Sequence, residues 1–591
     1  MSAENTIHPG TPQAEQARAV ASERRRTRTV LLIAFLVALI VRGVAGWYAG
    51  SAQPQEIRYI TIARGLMAGN GFHGLDNRYP DIIQPPLFPM MLAVALVLPG
   101  PDLAIARGVS ILMGALLVFP CAVIARRLFG EKTTRRVACL VAVYPLLADI
   151  SAAAITESTF ALLVMLAALS VWRALDTGDS GGGPLPSVTA GLLLGLAFLT
   201  RPEGLAYLAA AWAACAVDAL LSRSLVRTAL AHLRKVLFIL AGFAVVVAPY
   251  LVWVHARIGH WMMAPKATLV HVHQTLSQEG QREGWNEPYG SLIFWEHVKF
   301  GLNEQSTAIR AHEGFSGASA GITEGLLVSD DDAVTILSPM MAVRTGVRNF
   351  GELYLETIKY GFVIPSLLVM MLGIGLVSRP WVGPFRRAAM IVLVFLGGSF
   401  TFLVSHVEPR FLYAAIPFLL PWMGEGWRRS EAWAIGTFSG DGGRTRTRER
   451  LVRAGVGTVV LVLTLLHLPP ALRITSNLWS EHRELGQWLL KEVGPDRKVM
   501  AATPVVAYYA AARYEVMPYA DLDSLLDYAR SKGVEYLVAD RAEIPSFRPQ
   551  LTSLLIPERP HPGLEVIRAL HEGTPHAIFL YSVLPVGQSA R

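Results

Sequence analysis

The stretch RRRTRTVLLIAFLVALIVRGVAGWYAG, residues 24–50, decides the fold class of this chain. Its arginines end a polar segment, and the apolar run after them has roughly the 20 residues that cross a bilayer core of about 30 Å as a helix. A basic start before an apolar run resembles a signal sequence, but this run continues through Arg42 to Gly50. We therefore predict an uncleaved signal anchor, with residues 1–28 as a cytoplasmic tail.

The same apolar pattern recurs along the whole chain. Of its 591 residues, 52% are hydrophobic and 17% are charged, against roughly 25% charged in soluble proteins. This composition predicts an all-α polytopic membrane protein. The net charge of +8 belongs mostly to loops on one face and indicates topology, not nucleic-acid binding. The three cysteines all lie in apolar segments, so neither a disulfide framework nor a metal site is expected.

Charge asymmetry predicts the topology, because basic loops stay in the cytoplasm. The apolar stretch 85–98 is too short to span and is expected to lie in the outer interface. All basic clusters are then cytoplasmic if the N-terminus is inside, the C-terminus is outside and the chain spans about eleven times. The predicted spans are 29–50, 103–127, 136–153, 155–175, 187–201, 204–221, 236–256, 358–378, 388–405, 411–427 and 451–471.

Two parts of the chain follow the N-terminal tail in this interpretation. Residues 29–471 form the transmembrane domain, with large outer loops at about 51–102 and 257–357. Residues 476–591 change to a soluble composition and predict a small extracytoplasmic α/β domain. Its predicted helices are Glu481–Val493 and Leu522–Ser531, and its predicted strands are Arg497–Ala501, Glu535–Ala539, Leu564–Ala569 and Ala577–Leu584.

Unusual charges gather at the span ends that face the outer side. A charge at a bilayer edge costs free energy unless it has a partner or water, so a one-sided cluster predicts a shared polar cavity. Arg201 and Arg410 are outward basic residues, which the positive-inside rule disfavours, and each stands beside glutamates. Since a guanidinium grips phosphate oxygens in a planar fork, we expect an anion site. The residues of the cluster are Glu56, Glu157, Arg201, Glu203, His406, Glu408 and Arg410.

Simpler roles for these residues stay open on sequence alone. Glu56 and Glu157 both lie where a helix begins, and a carboxylate there favours the positive helix N-terminus without any catalytic role. Arg201 lies in a tight hairpin, and its long side chain could merely snorkel to the interface.

Several short motifs, taken in order, resemble a known family. They are Glu56 with Tyr59, QPPLFP (84–89), Arg107, RRLFG (126–130), Thr156-Glu157, GLAFLTRP (195–202), and RFLY (410–413) with Pro417. Their order and topology resemble the GT-C glycosyltransferases. The nearest members are bacterial relatives of the protein O-mannosyltransferases and of the lipid A aminoarabinose transferases. The resemblance covers roughly residues 30–425.

This resemblance implies a reaction at the outer face of the bacterial cytoplasmic membrane. The donor would be a sugar on a polyprenyl phosphate, the acceptor a protein, lipid or polysaccharide, and no metal or other cofactor is expected. A carboxylate of the first outer loop would deprotonate the acceptor hydroxyl, which attacks the anomeric carbon with inversion while the lipid phosphate leaves. Glu56 would be the base, and Arg201, Arg410 and His406 would bind the phosphate. Gln55, Tyr59, Glu157, Glu203, Glu408 and Tyr413 would support the polar cavity.

The chain departs from the family at one position. The first-loop pair is usually Asp-Glu, and here Gln55 stands where the aspartate is expected. An amide takes no proton at neutral pH, so Glu56 serves alone, Asp76 or Asp81 replaces it, or the protein is an inactive scaffold. A transporter or flippase of lipid-linked saccharides is a further alternative. Transporters usually show repeated halves with midplane charges, which this sequence does not show.

Overall fold

The computed structural model describes residues 12–73, 84–176, 183–222, 224–258, 261, 263, 346–351, 364–401, 409–438, 446–469, 479–517 and 521–585. The described chain is mostly helical and ends in a small mixed sheet, which confirms the helical character and the small C-terminal α/β domain of the predicted fold class. Two compact units are present. The first combines 1–49, 107–247 and 344–474, and the second combines 50–106, 248–343 and 475–591.

The described residues before the C-terminal domain are mostly helical. In chain order they are α1 (Pro12–Tyr48), α2 (Pro54–Met67), α3 (Leu87–Ala95), α4 (Asp102–Leu116), α5 (Val118–Phe129), α6 (Glu131–Val143), α7 (Pro145–Ser151), α8 (Glu157–Asp176), α9 (Leu185–Phe198), α10 (Gly204–Leu220), α11 (Leu225–Ile258), α12 (Ser366–Leu376), α13 (Gly383–Gly398), a 3-10 helix (Pro409–Ala414), α14 (Ile416–Phe438) and α15 (Arg446–Leu465).

A helical segment lies in every predicted span. Among the described residues, four helices are long and apolar enough to cross a membrane by length and composition: Arg18–Tyr48, Asp102–Phe129, Glu157–Asp176 and Leu225–Ala256. Shorter apolar helices occur at Leu185–Phe198, Gly204–Leu220 and Ser366–Leu376. The number of crossings stays a prediction. Helix α3 has 9 residues and a length of about 14 Å at 1.5 Å per residue, which is too short to span.

Paired glycines allow two helices of the first unit to approach closely. A Cβ on Gly375 of α12 would overlap the carbonyl oxygen of Trp422, and a Cβ on Gly426 of α14 would overlap that of Met371. Small residues at such crossings let helix backbones touch where lipid provides no hydrophobic drive for association. The contact between α12 and α14 therefore depends on both glycines.

A buried arginine completes the break between α6 and α7. Tyr144 is extended before Pro145, as residues before proline prefer. Pro145 has no N–H, so the carbonyl of Val141, four residues earlier, loses its helical donor. Arg42 of α1 is fully buried and donates to the carbonyls of Val141 (3.0 Å) and Ala142 (3.2 Å). This side chain replaces the bonds that the broken helix cannot make.

The C-terminal part of the second unit is an α/β domain with a five-stranded sheet of order β2-β1-β3-β5-β4. Strands β1, β2 and β3 are parallel, and β5 pairs antiparallel with β3 and with β4. The elements are α16 (Ser480–Glu492), β1 (Lys498–Ala501), α17 (Val505–Tyr509), β2 (Arg513–Val516), α18 (Leu522–Ser531), β3 (Tyr536–Asp540), α19 (Ile544–Phe547), a 3-10 helix (Pro549–Leu555), β4 (Leu564–Leu570) and β5 (Ile578–Val583).

Alternating strand residues build two cores in this domain. One face of the sheet packs Met500, Leu537 and Phe579 against α18 and the second 3-10 helix. The other face packs Val499 and Val538 against α16 and α17. The predicted helices and strands of the domain are all present with small shifts at their ends. Strand β2 and helix α17 were not predicted from the sequence.

Candidate functional site

A pocket of about 350 Å³, the open space at its mouth included, lies in the first unit. Its walls come from the start of α8, the α9–α10 turn, the end of α13 and the first 3-10 helix. Its lining residues are Glu157, Phe160, Arg201, Glu203, Tyr207, Gly398, Ser399, Thr401, Arg410, Phe411, Tyr413 and Ala414. Five predicted site residues therefore share one pocket: Glu157, Arg201, Glu203, Arg410 and Tyr413.

The α9–α10 turn places Arg201 and Glu203 side by side. Helix α9 ends at Phe198, and Pro202 follows within a turn whose Gly204 N–H donates to the Arg201 carbonyl at 3.0 Å. A Cβ on Gly204 would overlap the Phe198 backbone, so the turn closes tightly only with glycine there. Nη2 of Arg201 then lies 2.7 Å from Oε1 of Glu203.

The guanidinium of Arg201 also pairs with α8. Its Nη1 lies 2.6 Å from Oε1 of Glu157, the first residue of that helix. The rings of Phe411 and Phe160 lie under the guanidinium carbon, with centroids at 5.6 and 5.9 Å. Glu157 is therefore an ion-pair partner as well as the expected helix-start carboxylate. The two glutamates differ in exposure, since the side chain of Glu157 is 6% exposed and that of Glu203 is 30% exposed.

Arg410 adds the second guanidinium of the pocket. It lies in the 3-10 helix Pro409–Ala414, with its guanidinium carbon 5.5 Å from the Phe411 ring centroid. Among the described residues, Arg410, Arg201, Glu157 and Glu203 are the charged residues of the pocket, and their formal charges sum to zero. An anionic ligand in this pocket would therefore compete with the carboxylates for the guanidinium groups.

Hydroxyl groups surround Tyr413 and Tyr207. The Tyr413 oxygen lies 2.8 Å from Oγ of Ser151 and 3.1 Å from Oγ of Ser158. The Tyr207 oxygen lies 2.6 Å from Oγ of Ser399. Tyr413 was among the predicted site residues, and none of its serine partners was. Their sequence signal is weak, since single serines near helix ends are common in membrane proteins.

The first-loop motif lies in the second unit, on α2. Glu56 is fully buried, and its Oε2 accepts the Gln53 N–H at 2.9 Å in a capping box at the start of the helix. Gln55 lies one residue earlier in the same first turn. The Tyr59 hydroxyl donates to Oε1 of Gln84 at 3.1 Å, and the Tyr59 ring meets Phe88 edge to face at 5.2 Å. The structure thus brings together Tyr59 and the QPPLFP motif.

The remaining predicted residues are His406, Glu408, Asp76 and Asp81. All four lie outside the described residues. Their proposed roles stay sequence predictions.

Comparison with known sequences finds a matching family model and several relatives. Residues 83–253 match the family model described as dolichyl-phosphate-mannose-protein mannosyltransferase. The undecaprenyl phosphate-alpha-4-amino-4-deoxy-L-arabinose arabinosyl transferase of Pseudomonas aeruginosa (strain UCBPP-PA14) is 32% identical over 186 residues, 30% of this chain and 32% of the relative. The second such transferase of Pseudomonas fluorescens (strain Pf0-1) is 29% identical over 176 residues, 29% of this chain and 30% of the relative. The chain thus spans about a third of these relatives.

Solved structures extend the likeness to nearly the whole chain. ArnT from Cupriavidus metallidurans, bound to undecaprenyl phosphate, superposes with a TM-score of 0.55 at 15% identity over 95% of this chain and 99% of that chain. The oligosaccharyltransferase AglB from Archaeoglobus fulgidus superposes with a TM-score of 0.50 at 13% identity over 88% of this chain and 70% of that chain. The fold is that of the GT-C glycosyltransferases, which confirms the resemblance. Within that class the chain is similar to ArnT along its length.

Proposed function

We propose that this protein is a membrane glycosyltransferase of a bacterial cytoplasmic membrane. It transfers a sugar from a polyprenyl-phosphate-linked donor to an acceptor on the outer face. The observation that carries the proposal is the convergence of Arg201 and Arg410 in one pocket of a fold similar to ArnT. The relatives that match in sequence are named as transferases of a sugar carried on undecaprenyl phosphate, which supports the same donor class.

In the proposed reaction Glu56 takes the proton of the acceptor hydroxyl. The hydroxyl oxygen attacks the anomeric carbon with inversion, and the bond from that carbon to the phosphate oxygen breaks. The electron pair passes to the lipid phosphate, whose charge rises from one to two negative charges. Guanidinium groups that are already in position before the reaction neutralise this charge without reorganisation. Charged groups lower a reaction barrier most when they are placed in this way. No metal or cofactor is proposed beside the donor.

The unequal exposure of the two glutamates suggests how the phosphate enters. Glu157 is nearly hidden and holds one edge of the Arg201 guanidinium, while Glu203 is more exposed at the other edge. We propose that the donor phosphate displaces Glu203 from Nη2 of Arg201 and binds between Arg201 and Arg410. Glu157 then stays in place and keeps the guanidinium plane oriented.

The test is release of lipid phosphate by the purified full-length protein. Two donors are incubated with membrane extract as acceptor: undecaprenyl-phosphate-linked 4-amino-4-deoxy-L-arabinose and undecaprenyl-phosphate-linked mannose. The expected result is the appearance of undecaprenyl phosphate and of a glycosylated product, both detected by mass spectrometry. Movement of either donor across proteoliposome membranes without cleavage would instead favour a flippase and overturn the proposal.

A further inference from the structure

A tyrosine of the C-terminal domain holds the start of the helix that carries Glu56. The backbone N–H of Ala52 donates to the hydroxyl oxygen of Tyr509 at 2.7 Å, and both residues belong to the second unit. This bond joins positions 457 residues apart in sequence. Tyr509 is the last residue of α17, the short helix after β1.

Apolar contacts surround that hydrogen bond. Ala52, Ile57 and Val505 form a buried cluster, and Leu103, Trp479, Tyr508 and Tyr509 pack against it. Ala52 and Val505 are fully buried, and Ile57 is nearly so. The first outer loop and the C-terminal domain therefore share a small core, and Glu56 precedes one of its members.

The hydrogen bonds at the start of α2 connect this contact to the Glu56 carboxylate. Ala52 N–H binds Tyr509, and the next N–H, that of Gln53, binds Oε2 of Glu56. The Gln53 carbonyl accepts the Ile57 N–H at 3.1 Å, which is the first helical bond. A shift of the Ala52–Gln53 peptide would thus move the group that orients the carboxylate.

We infer that Tyr509 is a positioning residue, through which the C-terminal domain fixes the Glu56 carboxylate for proton abstraction. This inference rests on the proposed role of Glu56 as the base. A base must lie within hydrogen-bond reach of its proton, and a misplacement of about 1 Å costs on the order of a hundredfold in rate. The C-terminal domain accordingly contributes to turnover without contacting the reacting atoms.

The experiment compares Tyr509→Phe with Tyr581→Phe in the full-length protein. Both variants lose one hydroxyl, and the Tyr581 hydroxyl donates to the Leu554 carbonyl at 2.6 Å in the core of the same domain. Tyr509→Phe keeps the ring and its packing. It should raise amide exchange over residues 50–60 about three- to tenfold, the effect of one lost hydrogen bond, and Tyr581→Phe should not.

Turnover of the two undecaprenyl-phosphate-linked donors is measured on the same preparations. Tyr509→Phe should lower kcat about three- to tenfold at an unchanged KM for donor, since the base is displaced and the phosphate contacts are not. Tyr581→Phe should keep the parental kcat. Unchanged exchange over residues 50–60, or an unchanged kcat beside raised exchange, would overturn the inference.

A third variant separates this inference from the function on which it rests. If Glu56→Gln keeps normal turnover, the proposed base is wrong and the positioning role falls with it. If Glu56→Gln is inactive while Tyr509→Phe turns over normally, the proposed function stands and only the role of Tyr509 is lost.

Discussion

Nη1 of Arg201 lies 2.6 Å from Oε1 of Glu157 in an ion pair that is nearly closed to solvent, with side chains 14% and 6% exposed. A buried pair of this kind is costly to break, because removing one partner leaves the other charge without compensation. Part of any effect of an Arg201 mutation therefore comes from the loss of this ion pair.

Arg410→Ala should lower turnover about 10²- to 10³-fold, since one charge-assisted contact to a developing charge is lost. The variant should still fold, which its thermal unfolding in detergent checks. Arg201→Ala should lose turnover and also destabilise the protein by about 3–5 kcal/mol. Arg201→Lys should restore stability in part but little activity, because the planar fork is missing. An Arg410→Ala protein with parental kcat and KM would remove Arg410 from the site.

Glu203→Gln should strengthen donor binding. The substitution removes the negative charge that competes with the phosphate for Nη2 of Arg201, at a position open enough for exchange. We expect a KM for the undecaprenyl-phosphate-linked donor about three- to tenfold lower, in the range of one partly exposed charge contact. Glu157→Gln, the matched change on the other edge of the guanidinium, should leave KM unchanged or raise it. A higher KM in Glu203→Gln would contradict displacement of this glutamate by phosphate.

Arg42→Leu should destabilise the first unit by about 1–3 kcal/mol, because the Val141 and Ala142 carbonyls lose their donor in a buried place. Pro145→Ala returns an N–H that can bind the Val141 carbonyl. The double variant should therefore lose less free energy of unfolding than Arg42→Leu alone. Thermal unfolding in detergent is measured for the parental protein, the two single variants and the double variant, which together form a double-mutant cycle. Additive effects would show that Arg42 does not replace the missing helical bond.

The C-terminal domain should lose stability at alkaline pH through His482. Burial alone would lower the pKa of His482, but its pairing with Asp540 (Nε2–Oδ2 3.1 Å) and with Glu481 outweighs this and raises the pKa from 6.5 to about 9. Because the pKa of His482 is higher in the folded state, its protonation stabilises the folded domain fully below pH 6.5. This stabilisation is lost as pH rises through about 9. The loss amounts to about 3 kcal/mol at most.

The measurement for His482 is the thermal midpoint of the full-length protein across this pH range. His482→Gln should flatten the alkaline decline. His571→Gln is the matched control, since His571 pairs with Glu484 at the surface and should change little. A decline that persists in His482→Gln would assign it to another group.

Residue chemistry and periodicity predicted much of this structure, and the missing parts depend on long-range contacts. The predicted span 136–153 runs through Pro145 without a break, and Arg42, which bonds the carbonyls at that break, is about a hundred residues away in sequence. From the sequence, an arginine in an apolar run indicates only an interruption of that run. The signal of β2, with the sequence RYEV, is weak because two of its four residues are charged. The outward placement of Arg201 predicted a polar pocket, whereas its double pairing with Glu157 and Glu203 required the fold.

Glu56→Gln should abolish turnover and leave donor binding intact. The amide oxygen of glutamine can still accept the Gln53 N–H, so the capping box and the start of α2 persist while the proton acceptor is lost. Binding is measured with undecaprenyl-phosphate-linked donor by quenching of tryptophan fluorescence, and turnover by release of undecaprenyl phosphate. Gln55→Asp, one residue earlier in the same turn, should keep or raise turnover because it restores the usual acidic pair. If Glu56→Gln turns over normally and Asp81→Asn does not, the base is Asp81.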